Sequence, residues 1–448
     1  MSQDIRHHQK EELKALSQAL FHDLKEHESM SLTYSGERSL FIRINQAKIC
    51  QASHVDQGVV SMDFISHKCH AEAAFSITGQ LEEDLRRARD LLETCRHDCK
   101  TLPEDPYIVL PAEGESSEED HYGKFNQTNE LVDTLLKPAQ GCDLAGLYAG
   151  GILMRAHMNS RGQFHWFSTE NFYFDYSLYT SSQKAIKATY AGKEWQDKDY
   201  NATLQQAKKH LSILEQKPRK LEPGKYRVYL APAAAAEFVR LLAWSGLSEQ
   251  SLRQGRSPLK KLVEGEATFS PLFSLEEDFQ QGLGPRFNEF GEISPLKLPL
   301  ITKGKVDSLL INKRTAQEHE LTSNAANTEE SPRSLRVYPG NLKDAEILSR
   351  LGTGVYISNL HYLNWSDLQH GRATGMTRYG CFWVENGEIL GPIQDMRFDD
   401  TLYNCFGEYL EDLGDHAELI PHIFSYGEQT LGGVSVPGML LSSFTFTL

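Results

Sequence analysis

The sequence predicts an α+β protein of three consecutive regions: an N-terminal α/β domain over residues 1–103, a middle domain over 123–217, and a larger, strand-rich C-terminal domain over 225–448. Three observations predict it. Near the N-terminus, apolar residues recur first at helical and then at strand spacing. Two stretches rich in Pro, Gly and charge, 104–120 and 217–224, interrupt the pattern. Strand character rises past Pro339. A chain of 448 residues also exceeds one ordinary core.

Leu13, Leu16, Leu20 and Leu24 predict a helix over 9–28, and the alternations Leu40, Ile42, Ile44 and Val60, Met62, Phe64 predict strands. Leu85, Ala88, Leu91 and Leu92 share one face of a second helix over 81–97. The middle domain reads as a short helix over 131–136, strands over 145–180 broken by the turn Asn159-Ser160-Arg161-Gly162, and a helix over 200–216 that buries Leu204, Ala207, Leu211 and Leu214. The C-terminal domain opens with a strand over 227–230 and a helix that Pro232 starts and Gly246 stops. Polar stretches over 276–295 and 312–333 read as long loops of the kind that line sites or stay mobile. Asn386-Gly387, between Phe382-Trp383-Val384 and Ile389-Leu390, signals a hairpin. A helix over 399–413 and two closing strands complete the expectation.

The formal net charge of −15 argues against nucleic acid as a partner. No apolar segment follows the polar N-terminus, and no run of about eighteen apolar residues occurs, so neither a secretory signal nor a membrane span is expected. Seven cysteines, an odd count at irregular spacing, predict reduced thiols and a cytoplasmic protein. Cys95 and Cys99 share a helix face but lack the second pair of a zinc ribbon. His67 and Cys69 point to one face of a strand and His70 to the other. Glu277, Asp278, Asn288 and Glu292 read as solvated loop charges. No nucleophile elbow occurs, and Gly282-Leu283-Gly284 lacks the lysine of a phosphate loop.

One series of segments goes further. Gly354-Val355-Tyr356-Ile357-Ser358-Asn359-Leu360, then Asn364, then Gly371-Arg372-Ala373-Thr374-Gly375, then Phe382-Trp383-Val384-Glu385-Asn386-Gly387-Glu388-Ile389 resembles the TldD/PmbA family of peptide-processing proteins. The turn at Asn159 and the segment Arg253-Gln254-Gly255-Arg256-Ser257 extend the likeness over nearly the whole chain. Within that family, TldD-like members carry an H-E-x-x-x-H helix that holds zinc with its histidines and a C-terminal cysteine. TldE/PmbA-like members lack it and pair with a TldD subunit. In the register running from Pro232 to Gly246, Arg240 and Leu241 stand at the H-E pair and Ser245 at the second histidine, while Tyr426-Gly427 stands near the expected Cys-Gly. A guanidinium, an isobutyl group and a hydroxymethyl are poor company for zinc.

The resemblance therefore implies a TldE/PmbA-like subunit of a peptide-processing complex with no catalytic residue and no metal of its own, zinc being confined to a TldD-like partner. Its partners would be that peptidase subunit or a second copy in a homodimer, and small unfolded peptides. An active metallopeptidase with non-standard ligands and a stand-alone peptide-binding protein are the other readings. Candidates for the peptide cleft are Arg240, Ser245, His361, Asn364, His370 and Arg372. Arg240 has two readings: a cation that binds a peptide carboxylate, or the polar edge of a helix whose apolar face is Ala234, Phe238, Leu241 and Leu242.

Overall fold

A computed structural model describes residues 2–125, 130–423 and 428–447. In chain order the first part of the fold comprises α1 (Ser2–His22), β1 (Glu28–Asn45), β2 (Lys48–Ser66), β3 (Cys69–Ser76), α2 (Leu81–Asp98), β4 (Ser117–His121), α3 (Glu130–Leu136), β5 (Asp143–Asn159), β6 (Phe164–Tyr179), β7 (Ala185–Gly192) and α4 (Asp197–Leu214). The second part begins with β8 (Gly224–Leu230) and α5 (Pro232–Ala243). It continues with β9 (Leu275–Asp278), β10 (Lys297–Thr302), β11 (Lys305–Val306), β12 (Leu335–Val337), β13 (Gly354–Asp367) and β14 (Arg372–Glu385). β15 (Glu388–Pro392), β16 (Arg397–Thr401), β17 (Leu410–Leu413), β18 (Glu418–Pro421), β19 (Gly433–Val436) and β20 (Met439–Phe446) follow, with short helices between. The fold is α+β, as expected.

The first sheet runs β3-β2-β1-β5-β6-β4, with β7 on β6. β1 pairs with β5 along most of its length, so one sheet joins the regions 1–103 and 123–217 that the sequence separates. The linker stretch contributes a strand of its own: β4 lies parallel to β6. Period two gives this sheet two unlike faces. On one, Leu32, Tyr34, Val60, Met62, Met154 and Ala156 pack under Leu13, Leu16 and Leu20 of α1 and Ala88 and Leu92 of α2. Further along, Leu40, Ile42, Ile44 and Tyr148 pack with Leu131 and Leu135 of α3 and Leu204 and Ala207 of α4.

The other face is polar. Ser31, Thr33, Ser35, Glu37 and Ser39 of β1 lie opposite Asn159, His157, Arg155, Leu153 and Gly151 of β5, and His157 lies opposite His165 of β6. This face is covered by the C-terminal half. Phe287 stacks on His165 with ring centres 5.4 Å apart. Gly291, at φ +83°, sits so close that a Cβ there would lie 2.2 Å from Gln163 Oε1 and 3.1 Å from His157 Nε2. Gln429, 2 % exposed, is the firmest tether. Its backbone N–H donates to the Glu37 carboxylate at 3.1 Å, its Oε1 accepts from Ser39 at 3.1 Å and its Nε2 donates to Asn171 at 2.6 Å. Burial pushes the Glu37 carboxyl above its usual range.

The C-terminal half holds two more sheets, β11-β10-β9-β12-β19-β18 and β13-β8-β20-β16-β14-β15. In the latter, β13 also pairs β14, so five strands close into a ring. α5 packs on β13, β18 and β19. The Asn386-Gly387 hairpin forms as predicted, with both residues at positive φ. The helix expected over 399–413 does not form. Residues 397–401 pair with β14 instead, and buried Asp400 accepts from Thr401 N, Asn404 Nδ2 and Thr445 N, leaving only a short helical turn at Asn404–Glu408 before β17.

The polar stretches 276–295 and 312–333 are also not open loops. β9 is buried throughout. Asp278 pairs with Arg336 at 2.9 Å, and Glu277 accepts from Arg333 N at 2.5 Å while burial pushes its carboxyl up. Asn288 caps its own turn through Phe290 N and Glu292 N. The residues read as solvated are structural: Glu277 and Asp278 meet a backbone N–H and a guanidinium inside the fold, and Glu292 accepts from Asn288 and Ser323. His67 sits in the β2–β3 turn at φ +56° rather than on a strand, stacked on His27. Cys95 is buried and its thiol is pushed up to about 11. Among the described residues no helix is long and apolar enough to cross a membrane.

Two outcomes follow from the buried polar face. Gln429→Leu leaves Ser39 and Asn171 without their partners and is expected to cost about 1–3 kcal/mol, read as a lower urea midpoint at unchanged slope. His157 is fully buried, and burial, with His165 beside it, pushes its imidazole down to about 3. It is neutral in the folded chain, whereas the unfolded chain takes up a proton near 6.5. Its contribution is therefore present above pH 6.5 and is lost at about 1.4 kcal/mol per pH unit as pH falls toward 3. His157→Gln should flatten the acid limb of a stability–pH curve; an unchanged slope would refute this assignment.

Candidate functional site

α5 is built from Pro232 at its first turn and seven buried residues, Ala234, Ala235, Ala236, Phe238, Val239, Leu241 and Leu242. Only Arg240 and Glu237 interrupt the apolar surface after the first turn. The helix ends at Trp244, and Ser245 takes the left-handed conformation, φ +68°. Gly246 is required for a different reason than a left-handed stop. A Cβ there would lie 2.2 Å from the Leu242 carbonyl oxygen.

Arg240 lies in the last turn, where the helix dipole favours a cation. Its Nη1 donates to Glu237 Oε1 at 3.0 Å, and its Nη2 donates to the carbonyls of Ile420 at 3.1 Å and Pro421 at 2.9 Å. The guanidinium thus clamps α5 to β18. It is neither a free surface cation nor a cation held ready for a ligand, since both terminal nitrogens are engaged. Leu241 is in the core, 5 % exposed. None of Arg240, Leu241 and Ser245 presents an imidazole, thiolate or carboxylate, so these three positions supply zinc with no ligand. Tyr426-Gly427 lies outside the described residues.

Beside this clamp, between the polar face of the first sheet and β18, is a cavity of about 310 Å³. Phe172, Tyr173, Leu283, Leu419 and Pro421 form its apolar walls, and Asn171, Lys193, Gln281, His422 and Gln429 bring polar groups to it. Arg240 does not line the cavity; it holds the Ile420–Pro421 backbone that forms one wall. Burial, and next the Arg240 charge, lower the His422 pKa, which favours a neutral ring. Gly432, at φ +95°, passes so near that a Cβ would lie 2.9 Å from His422 Nδ1.

The remaining predicted cleft residues lie elsewhere. His361, Asn364, His370 and Arg372 are exposed on the outer part of the β13–β14 ribbon. His361 stacks on Tyr362, Asn364 accepts from Trp365 N, His370 pairs with Asp367 at 2.8 Å, and Arg372 pairs with Asp399 at 2.6 Å. None of the four lines the cavity. Lys193, His422, Gln429 and Asn171 carry no motif and were not anticipated. The one available signal was the alternation Ser31, Thr33, Ser35, Glu37, Ser39, which marks a strand face that cannot join an apolar core.

A sequence profile of the PmbA/TldA metallopeptidase C-terminal domain matches residues 223–448. The chain belongs to the PmbA/TldD family. No curated protein matches the sequence. Among solved structures, the fold is shared with a Thermotoga maritima protein described as a modulator of a DNA gyrase, at a TM-score of 0.78 and 14% identity over 97% of this chain and 100% of that one. TldE from Thermococcus kodakarensis aligns at a TM-score of 0.76 and 13% identity, covering 98% and 100% of the two chains. A Bacteroides thetaiotaomicron protein, also described as a modulator of DNA gyrase, aligns at 0.77 and 14%, covering 97% and 98%.

Two groups of side chains elsewhere in this PmbA/TldD-family chain have metal-ligand spacing among the described residues: Asp63, His70, Glu72 and Asp344, Asp415, His416. Neither draws on α5. In the first, His70 Nε2 is 2.7 Å from Asp63, and that hydrogen bond raises the imidazole pKa, as expected of an ion pair. The clamp itself is testable: Arg240→Met should lower stability by about 2 kcal/mol and speed amide exchange in β18, whereas unchanged exchange there would show that Arg240 does not hold this wall.

Proposed function

We propose that this chain is a TldE/PmbA-like subunit of a peptide-processing assembly, without a zinc centre of its own. It pairs with a TldD-like peptidase subunit or with a second copy of itself, and it presents small unfolded peptides for cleavage by the partner, in the cytoplasm. One observation carries the reading. Where a zinc-binding helix needs an imidazole, α5 has a guanidinium whose two terminal nitrogens are committed to Glu237, Ile420 and Pro421. A permanent cation at that point repels a metal ion and supplies no lone pair to it.

The cavity beside the clamp supports the peptide part of the proposal. Its walls combine aromatic and aliphatic side chains with a few amides, the usual make-up of a small-ligand pocket. Gln429 and Asn171 are fixed by their mutual hydrogen bond, so the amides are positioned before any ligand arrives. The seven unpaired cysteines accord with a reducing compartment.

The purified full-length chain is expected to hold far less than one zinc per molecule and to cleave no peptide alone. Hydrolysis, sensitive to a chelator, should arise when a TldD-like subunit from the same source is added and co-elutes. Stoichiometric zinc in this chain by itself, lost to a chelator together with peptidase activity, would overturn the proposal.

A further inference from the structure

We propose that the cavity beside β18 receives the free C-terminal carboxylate of a peptide ending in an apolar residue, and that Lys193 is the cation that takes it. The inference rests on the peptide-handling role above and names the end of the peptide that is recognised.

Lys193 is a cation without a carboxylate partner among the described residues. Lys193 follows β7 directly and is half-buried on the cavity wall. Its Nζ lies 3.5 Å from His121 Nδ1 and so close to Gly282 that a Cβ there would be 2.4 Å away. Several other cations at this junction are matched by carboxylates: Arg6 with Glu170 at 3.1 Å, Lys187 with Asp175 at 3.0 Å, Arg286 with Glu119 at 3.5 Å; Arg155 instead donates to the carbonyls of Gly36 and Met154 and does not line the cavity. The nearby carboxylates are also engaged, Glu37 by Gln429 N and Gln57, and Glu170 by Arg6 and Gly123 N. An ammonium in such a place is disfavoured, and burial accordingly depresses the Lys193 pKa. An arriving anion restores what burial removed.

The rest of the cavity selects which anion. Arg240 does not line the cavity, and its terminal nitrogens are engaged by Glu237 of α5 and by the Ile420 and Pro421 carbonyls of β18. Phe172, Leu283 and Leu419 favour an apolar side chain next to the carboxylate. The volume of about 310 Å³ sits at the small end of the roughly 300–1,000 Å³ range of ligand pockets. It suits the last residue or two of a peptide. Asn171 is the amide placed to meet the terminal peptide group, since Gln429 is committed to Ser39 and Asn171 and the Gln281 nitrogen to the carbonyls of Asp278 and Ser334. A phosphate-sized polyanion fits less well, since Lys193 is the one Lys or Arg lining the space among the described residues.

The test uses the full-length chain and two probes, Ala-Ala-Leu with a free carboxylate and the same peptide as its C-terminal amide, titrated by calorimetry. The free acid is expected to bind about tenfold or more tightly than the amide. Lys193→Gln should erase that difference while leaving the amide affinity unchanged, and Lys193→Arg should keep most of it. If acid and amide bind the wild-type chain equally, the carboxylate assignment fails while the peptide-handling role stands. If neither binds at millimolar concentration, both fail. The acid–amide comparison on the wild-type chain remains decisive even if a Lys193 variant does not fold.

Discussion

The fold depends on burying a sheet face that is not apolar. Thr33, His157 and His165 form a row across β1, β5 and β6, with Glu37, Ser39 and Asn159 in neighbouring rows. Such a face cannot rest on an aliphatic layer, because each hydroxyl, imidazole and carboxylate taken from water needs a replacement partner. The C-terminal half meets that demand with amides, backbone groups and glycines. Gln429 bridges two strands of the sheet, and Gly291 lets the backbone approach a histidine that a larger residue would displace. The match is incomplete: both ring nitrogens of His157 are buried without a partner. A junction made this way is specific more than it is strong, since its energy lies in mutual satisfaction and little of it in apolar area.

The same junction explains why a cavity sits where it does. The apolar face of the sheet is sealed by helices, whereas the polar face is bridged at points. Between those points the packing leaves space, bounded by β6, β7 and β18. Arg240 fixes the far wall by holding two consecutive carbonyls, so the cavity is shaped by a cation that never enters it. Among the described residues, the cation on the cavity lining without a carboxylate partner is Lys193.

Much of the secondary structure was legible. The leucines of α1, the alternations of β1 and β2, the amphipathic faces of α2 and α4, and the Asn-Gly hairpin are local patterns, and each element formed; α2 and α4 lie close to their expected limits, whereas α1 runs Ser2–His22 instead of 9–28. The failures share a cause. Residues 399–413 have acceptable helix spacing, but 397–401 pair with β14, and Asp400 accepts from Thr445 N of β20 as well as from Thr401 N and Asn404 Nδ2 nearby. The acidic run of β9 looks like a solvated loop until Arg333, Arg336 and Lys297 arrive from elsewhere in the chain. Distant partners, Thr445 for Asp400 and Arg333 and Arg336 for β9, help decide these segments, and propensity carries no information about them.

The site divides in the same way. By itself the sequence determined that no histidine or acidic ligand stands at 240, 241 or 245, because that is a matter of residue identity. It also identified the family, through ordered segments in the C-terminal domain. Only the tertiary structure decided that Arg240 is a clamp instead of a receptor, that the β13–β14 residues face solvent away from the cavity, and that Lys193 is left uncompensated. A charge is free or committed according to what surrounds it, and those surroundings come from strands that meet only when the chain has folded.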